Sequence, residues 1–277
     1  MATPEERADA LARLYDLDLR IDDPGDLDLW LALADRCEGR ILELAAGSGR
    51  LAVPLAEAGH QVTAVDIDPA MILRGVARAR AAGPETEARL RWAEADLVGL
   101  ELPDAGSYAL AFIGLNSLFL LDEEAQAEAF QTLARHLAPG GLAVVDCWLP
   151  DAEDLSQLDR RLLFEHARIE PETGHRVVKI WAGFHDAATQ VIRLTTIWEE
   201  GPEGEPPVRW VREDELRLLS PGELRGLATA AGLEIEMLAG GYDLDPLESG
   251  ASRLILLATR PQERAHRGPG AGRHRAP

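Results

Sequence analysis

Apolar positions in residues 5–37 recur at near-helical spacing, with Leu11 and Leu14 in one stretch and Leu29, Leu33 and Ala34 in another. Asp22-Asp23-Pro24-Gly25 breaks the pattern midway, which predicts helix, break, helix. From Arg40 the grammar changes. Ile41–Leu44, Gln61–Ile67, Leu90–Ala95, Tyr108–Gly114 and Leu142–Cys147 are short apolar runs, and Arg50–Ala58, Pro69–Ala82 and Asp122–Leu137 are helical stretches between them. Gly59 and Gly83-Pro84 read as helix stops. Five apolar strands separated by helices predict βαβ units and a parallel sheet covered on both faces.

A second pattern follows. Leu162–Glu170, Arg176–His185, Gln190–Glu199 and Val208–Leu219 alternate apolar and polar residues, separated by turn-like Pro171–Gly174, Asp186–Ala188 and Gly201–Gly204. They predict an antiparallel meander with one half-wet face. Ser220-Pro221-Gly222-Glu223 has the order of a capping box and opens a helix to Ala231. Leu233–Ala239 and Arg253–Thr259 supply two more strands, and the Gly-, Pro-, Arg- and His-rich tail of residues 261–277 is expected to be disordered.

Composition adds limits. With 277 residues, 46% hydrophobic and 27% charged, the chain is a soluble globular protein of one large domain or one and a half. Its formal charge of −20 disfavours nucleic acid and anionic membrane as partners, because both are held by clustered Lys and Arg. Two cysteines, Cys37 and Cys147, build neither a disulfide framework nor a Cys-rich metal site, and no His/Cys/carboxylate cluster has ligand spacing, so no metal is expected. The charged N-terminus lacks a secretory signal, and the least polar segment, Ala109–Leu121, is too short to span a membrane. A cytoplasmic location is the expectation.

The chemistry gathers on the first strand. Gly47-Ser48-Gly49, followed by Ala52, fits a dinucleotide-type glycine loop, and Asp66 lies where a ribose-binding carboxylate belongs. Glu43, four residues before Gly47, would repel a pyrophosphate but complements an ammonium or a sulfonium. Asp96 after the third strand can accept from an adenine amine.

The run Ile41-Leu42-Glu43-Leu44-Ala45-Ala46-Gly47-Ser48-Gly49-Arg50, with Val65–Met71, Ala95-Asp96 and Asn116-Ser117, resembles class I S-adenosylmethionine-dependent methyltransferases over about residues 10–260. Leu14-Tyr15-Asp16 and the β-rich stretch make it similar to the small-molecule, amino-sugar N,N-dimethyltransferase subgroup. The resemblance implies a Rossmann-like α/β fold: a seven-stranded, mostly parallel sheet whose last strand is antiparallel. Residues 1–38 would be an N-terminal helical lid, 39–154 and 219–260 the cofactor-binding core, and 155–218 a β insertion on the acceptor side.

It also implies roles. Asp66 would accept both ribose hydroxyls, Ile67 and Met71 would enclose the adenine, and Asp96 with the Leu97 amide would read its edge. Gly47 and Gly49 would admit the methionyl part, and the Ala45 carbonyl would hold its ammonium. Leu115 and Asn116 would line the far side of that moiety, Tyr15 would close over it, and Arg20 would pair with its carboxylate. The reaction implied is in-line methyl transfer to N or O of a small metabolite. Members of the subgroup often carry a His a few residues after the Asn-Ser pair, whereas Leu118-Phe119-Leu120-Leu121 has none. The nearest titratable candidates for a base are Asp146, Glu165, His175 and His185. Two other readings stay open: a protein that binds the cofactor without turnover, and an NAD-linked oxidoreductase, for which the glycine loop and Asp66 speak. The expected partner is a small-molecule acceptor, and a homodimer through the β insertion is compatible with the pattern.

Overall fold

Two amphipathic helices, α1 (Pro4–Ile21) and α2 (Leu27–Arg36), open the chain in the computed structural model, which describes residues 2–21 and 23–262 and, at positions 20 and 21, the backbone alone. They break where Pro24-Gly25 predicts. Trp30 of α2 is fully buried and stacks on Phe112 with ring centroids 4.3 Å apart.

The alternating segment follows as β1 (Arg40–Leu44), α3 (Ala52–Glu57), β2 (Val62–Asp66), α4 (Pro69–Ala82), α5 (Pro84–Arg89), β3 (Leu90–Glu94) and β4 (Tyr108–Ile113). After it come α6 (Glu123–His136), β5 (Leu137–Trp148) and the short α7 (Ala152–Ser156). α4 begins where Asp68 caps it, its side chain accepting from the Ala70 amide at 2.9 Å, and α6 where Asp122 accepts from Ala125. α5 differs from the expectation of a stop at Gly83-Pro84. Proline tolerates the first helical turn, whose N–H groups are unpaired in any case, so Pro84 starts a new helix. β5 also begins earlier than expected, because Leu137 pairs with Tyr108 before a register shift that resumes at Leu142.

The meander is present as β6 (Leu163–Ile169), β7 (Arg176–Asp186), β8 (Val191–Gly201) and β9 (Val208–Arg217), a separate four-stranded antiparallel sheet. α8 (Pro221–Ala230), opened by the Ser220/Glu223 capping box, leads to β10 (Glu234–Ala239) and β11 (Arg253–Thr259). The main sheet runs β10-β11-β5-β4-β1-β2-β3, with β11 antiparallel to both neighbours and the remaining pairs parallel. This is the predicted seven-stranded sheet. Alternate residues of its strands bury against opposite layers: Leu42, Leu44 and Ile113 with Phe130 and Leu224, and Ile41 and Phe112 with Trp30 and Leu55.

Strand order reverses between β1 and β4. The crevice outside their carboxyl ends is where an open α/β sheet binds ligands. Trp92 of β3 braces the first of these loops by lying against two glycines. A Cβ on Gly75 of α4 would stand 2.2 Å from its ring, and one on Gly49 2.7 Å. Gly75→Ala is therefore expected to cost about 1–3 kcal/mol through overpacking, read as a lower urea midpoint. Adding Trp92→Leu should return most of the loss; if it does not, the ring is not the cause.

Candidate functional site

Ala45 and Gly47 turn the chain out of β1 at positive φ, 57° and 55°, and Gly49 follows at 73°. The Gly47 amide donates to Asp66 Oδ2 at 2.6 Å, while Oδ1 accepts the Asp68 amide at 2.9 Å. The carboxylate at the end of β2 thus clamps the loop after β1, and each oxygen keeps a further lone pair for a ligand hydroxyl. Burial raises the Asp66 pKa, with the amides of Asp68 and Gly47 opposing it. Nothing stands within 4 Å of a Cβ placed on Gly47, so that position opens toward a ligand. Gly49 does not: its missing Cβ makes room for Trp92 and Val53, a packing role where ligand approach was expected.

The cleft over this loop is lined from α1 by Tyr15 and Leu19, from β1 and its loop by Glu43, Ala45–Ser48, Arg50 and Leu51, and from the end of β4 by Gly114, Leu115 and Ser117. Glu43 is 4% exposed, and its Oε2 is buried without a hydrogen-bond partner. Burial, with lesser contributions from Asp66 and Asp26 against the pull of Arg50, pushes its pKa up to about 8. Arg50 gives its terminal nitrogens to Asp26 at 2.5 and 2.8 Å, Asp26 is further held by Trp30 Nε1 at 2.9 Å, and no hydrogen bond from Arg50 reaches Glu43 Oε2. A carboxylate left in this condition asks for a cationic ligand.

Around the cleft, Ile67 is 65% exposed beside Asp66, and Met71 is nearly buried on the first turn of α4. The Ala95 amide donates to the Asp66 carbonyl at 3.0 Å, which sets Asp96 beside the same rim; Asp96 is exposed and accepts the Val98 amide at 2.9 Å. The Leu97 side chain is buried, and its carbonyl accepts from Thr132. Leu115 reaches the cleft, but the Asn116 side chain is used elsewhere: its Oδ1 accepts the Trp148 amide at 2.5 Å and ties the end of β4 to β5. The Arg20 side chain lies outside the described residues, as do residues 263–277 of the basic tail.

The base candidates are scattered. Asp146 is fully buried, meets Arg253 Nε at 2.9 Å and accepts the Leu115 amide at 3.2 Å, so it props the cleft wall and does not face an acceptor. His175 sits at the β6–β7 turn, 3.5 Å from Glu200, and Glu165 pairs with Lys179 at 2.9 Å. His185 lies across from Ile192 with Nε2 buried and unpartnered.

One constellation escaped the sequence reading. Asp16, one residue after Tyr15 and 3% exposed, accepts from the Ser48 hydroxyl of the glycine loop and pairs with Arg74 at 2.7 Å and Arg78 at 3.3 Å. Arg74 continues to Glu172 of the β6–β7 turn at 2.6 Å. Helix α1, the loop, α4 and the insertion therefore close on one buried carboxylate. The only local signal was an acid on the apolar face of a helix, next to Leu14 and Leu17.

A reversed strand order, a glycine loop clamped by an acid at the end of β2, and a buried acid on β1 define a Rossmann-like fold of the class I methyltransferase type. Residues 41–141 match the family model described as a methyltransferase domain. The cypemycin N-terminal methyltransferase of Streptomyces is 25% identical over 264 residues, 94% of this chain and all of that protein. The CcbJ methyltransferase of Streptomyces caelestis is similar in structure with a TM-score of 0.71 at 24% identity, covering 85% of this chain and 95% of that one. CalS10, an amino pentose methyltransferase of Micromonospora echinaspora solved with S-adenosylmethionine bound, has a TM-score of 0.66 at 20% identity over 89% of this chain and 96% of its own. The chain spans 38% of the length of the first curated relatives it matches, uncharacterized mycobacterial proteins 36% identical over 112 residues. Among the described residues no helix is long and apolar enough to cross a membrane.

Proposed function

We propose that this chain transfers a methyl group from S-adenosylmethionine to a nitrogen or oxygen of a small molecule. The observation that carries the reading is the buried Glu43 carboxyl with Oε2 unpartnered, beside the clamped glycine loop. An ammonium would draw off its proton and complement the carboxylate, whereas the pyrophosphate of NAD, itself an anion, would repel the ionised form and offers it no such partner. S-adenosylmethionine supplies an electrophilic methyl on a sulfonium. Glu43 and the Ala45 carbonyl bind the amino-acid end, Asp66 orients the ribose, Ile67 and Met71 enclose the base, and Asp96 with the Leu97 amide reads its edge. Tyr15 on the α1 lid excludes water. Without a base in the cleft, the chain's contribution is to position a neutral nucleophile in line, which can supply much of the acceleration. Nitrogen is favoured, since one relative is an N-terminal methyltransferase and another an amino pentose methyltransferase. A lid over residues 1–38, an acceptor side over 155–218, a cytoplasmic location and a homodimer belong to the same proposal.

Calorimetry is expected to give saturable binding of S-adenosylmethionine and none of NAD. Asp66→Asn should weaken the first at least about tenfold by removing a charged acceptor. Heat with NAD alone, or undiminished binding in Asp66→Asn, would falsify the assignment.

A further inference from the structure

On β9, Trp210, Arg212, Asp214 and Leu216 share one face by the two-residue period of a strand. Trp210 packs with Leu14, Leu17 and Trp198 beneath α1, and Leu216 packs with Ile192 and Leu218 in the core of the main sheet. Arg212 and Asp214 fall between the two apolar clusters. The register sets Arg212 opposite Thr196 and Asp214 opposite Leu194, and Thr196 opposite Trp181. Thr196, Ile192 and Trp198 are buried on this face and Leu158 lies over Gly183 beside Trp181, whereas Leu194 and Trp181 are half-buried and the Arg212 side chain is 32% exposed, so the face has a solvent-accessible gap at Arg212. Helix α1 packs against β9 and carries Tyr15, which lines the cleft, so the gap lies toward the cleft.

Arg212 donates from Nε to both oxygens of Asp214, each at 2.9 Å. That contact uses one of five N–H donors and holds the guanidinium plane. Its two terminal nitrogens have no partner among the described residues. Three neighbouring cations differ. Arg13 is shared by Glu170 and Glu200, Arg74 by Asp16 and Glu172, and Lys179 by Asp18 and Glu165. Arg212 has one carboxylate, and its side chain stays 32% exposed.

We infer that the second carboxylate is the acceptor's: the terminal nitrogens of Arg212, aimed by Asp214, form a subsite for a carboxylate-bearing small molecule whose apolar part lies against Trp181 and Leu194. This rests on the methyltransferase reading. The planar fork matches a carboxylate with two parallel hydrogen bonds, and fixing it at one end of the gap leaves the rest of the acceptor to reach the cleft.

Three probes with one apolar arm test it: 3-phenylpropionate, the uncharged isostere 3-phenylpropionamide, and phenethyl phosphate. Each is titrated by protein-detected NMR into the full chain, with and without S-adenosylhomocysteine. Propionate is expected to bind roughly tenfold more tightly than the amide, with the preference lost in Arg212→Met and partly kept in Arg212→Lys. S-adenosylhomocysteine affinity should stay the same in both variants, which also reports that they fold. Equal binding of acid and amide, or a preference that survives Arg212→Met, overturns the subsite, and a phosphate that outcompetes propionate overturns the carboxylate assignment. If S-adenosylhomocysteine fails to bind at all, the methyltransferase reading falls, and the titrations without it still decide the subsite.

Discussion

Arg253→Met is expected to lose about 3–5 kcal/mol of stability, the cost of leaving a buried charge without its partner, read as a lower midpoint of urea unfolding. Asp146 is fully buried on β5, and Arg253 of the neighbouring β11 meets it at 2.9 Å, with the Leu115 amide at 3.2 Å and the Tyr242 hydroxyl at 3.5 Å. Burial raises the Asp146 pKa even with Arg253 in place. Without the cation it rises further, so the folded variant binds a proton more tightly than the unfolded chain does. The deficit is then fully present above the raised folded pKa and shrinks as pH falls toward the ordinary carboxylate range. Adding Asp146→Asn, which removes the charge and keeps an acceptor for Leu115, should recover most of the loss. A deficit unchanged by the second substitution, or one that grows at lower pH, would sink this account. The cleft wall at Leu115 hangs from the same carboxylate, so cofactor affinity should fall with stability in the single variant.

Affinity for S-adenosylmethionine is expected to rise roughly fiftyfold at most between pH 6 and pH 8, about tenfold per unit at the lower end, where one proton is released on binding. Glu43, with its pKa pushed up to about 8, carries that proton in the free protein at neutral pH. Asp66 and Asp26 add to the burial that holds it, and Arg50, bound to Asp26, opposes them only in part. An arriving ammonium stabilises the ionised form, so the proton leaves. The rise should level near pH 8, where the free carboxyl has already ionised and the ligand's own amine begins to lose its charge. At pH 7, calorimetry in buffers of different ionisation enthalpy should give nearly one proton released per ligand. Glu43→Gln should abolish both the release and the slope. For folding the sign is opposite: a raised carboxyl pKa makes the wild type lose stability as pH climbs from the ordinary value through 8, and Glu43→Gln should escape that loss. Affinity that is flat with pH, with no proton released, would contradict the assignment.

The main sheet was legible because its strands, covered on both faces, are short apolar runs between helices, and the meander because half-wet strands alternate. α5 was not, since a Gly-Pro pair is both a stop for one helix and a good first turn for the next. Local spacing likewise placed Glu43, Gly47 and Asp66 together, because a single βαβ unit brings the ends of β1 and β2 side by side. The glycine loop suggested a ligand role for Gly49 and the family resemblance one for Asn116, whose positions near the loops are right but whose atoms are spent on Trp92 and on Trp148. A sequence motif marks where backbone passes near a ligand; which atoms remain free there depends on neighbours it does not contain.

By itself, then, the sequence determined the order of elements, the strand-end loop and the acids that face it, because those follow from periodicity and from contacts made within one βαβ unit. Only the tertiary structure decided that Asp16, Ser48, Arg74 and Glu172 form one closure, that Asp146 is a prop held by Arg253, and that Arg212, among the described residues, is held by Asp214 through Nε alone. The physical reason is burial. An acid or a guanidinium reads the same in a sequence whether it is solvated or not, and its chemistry is set by which distant segments of the fold desolvate it and pair with it.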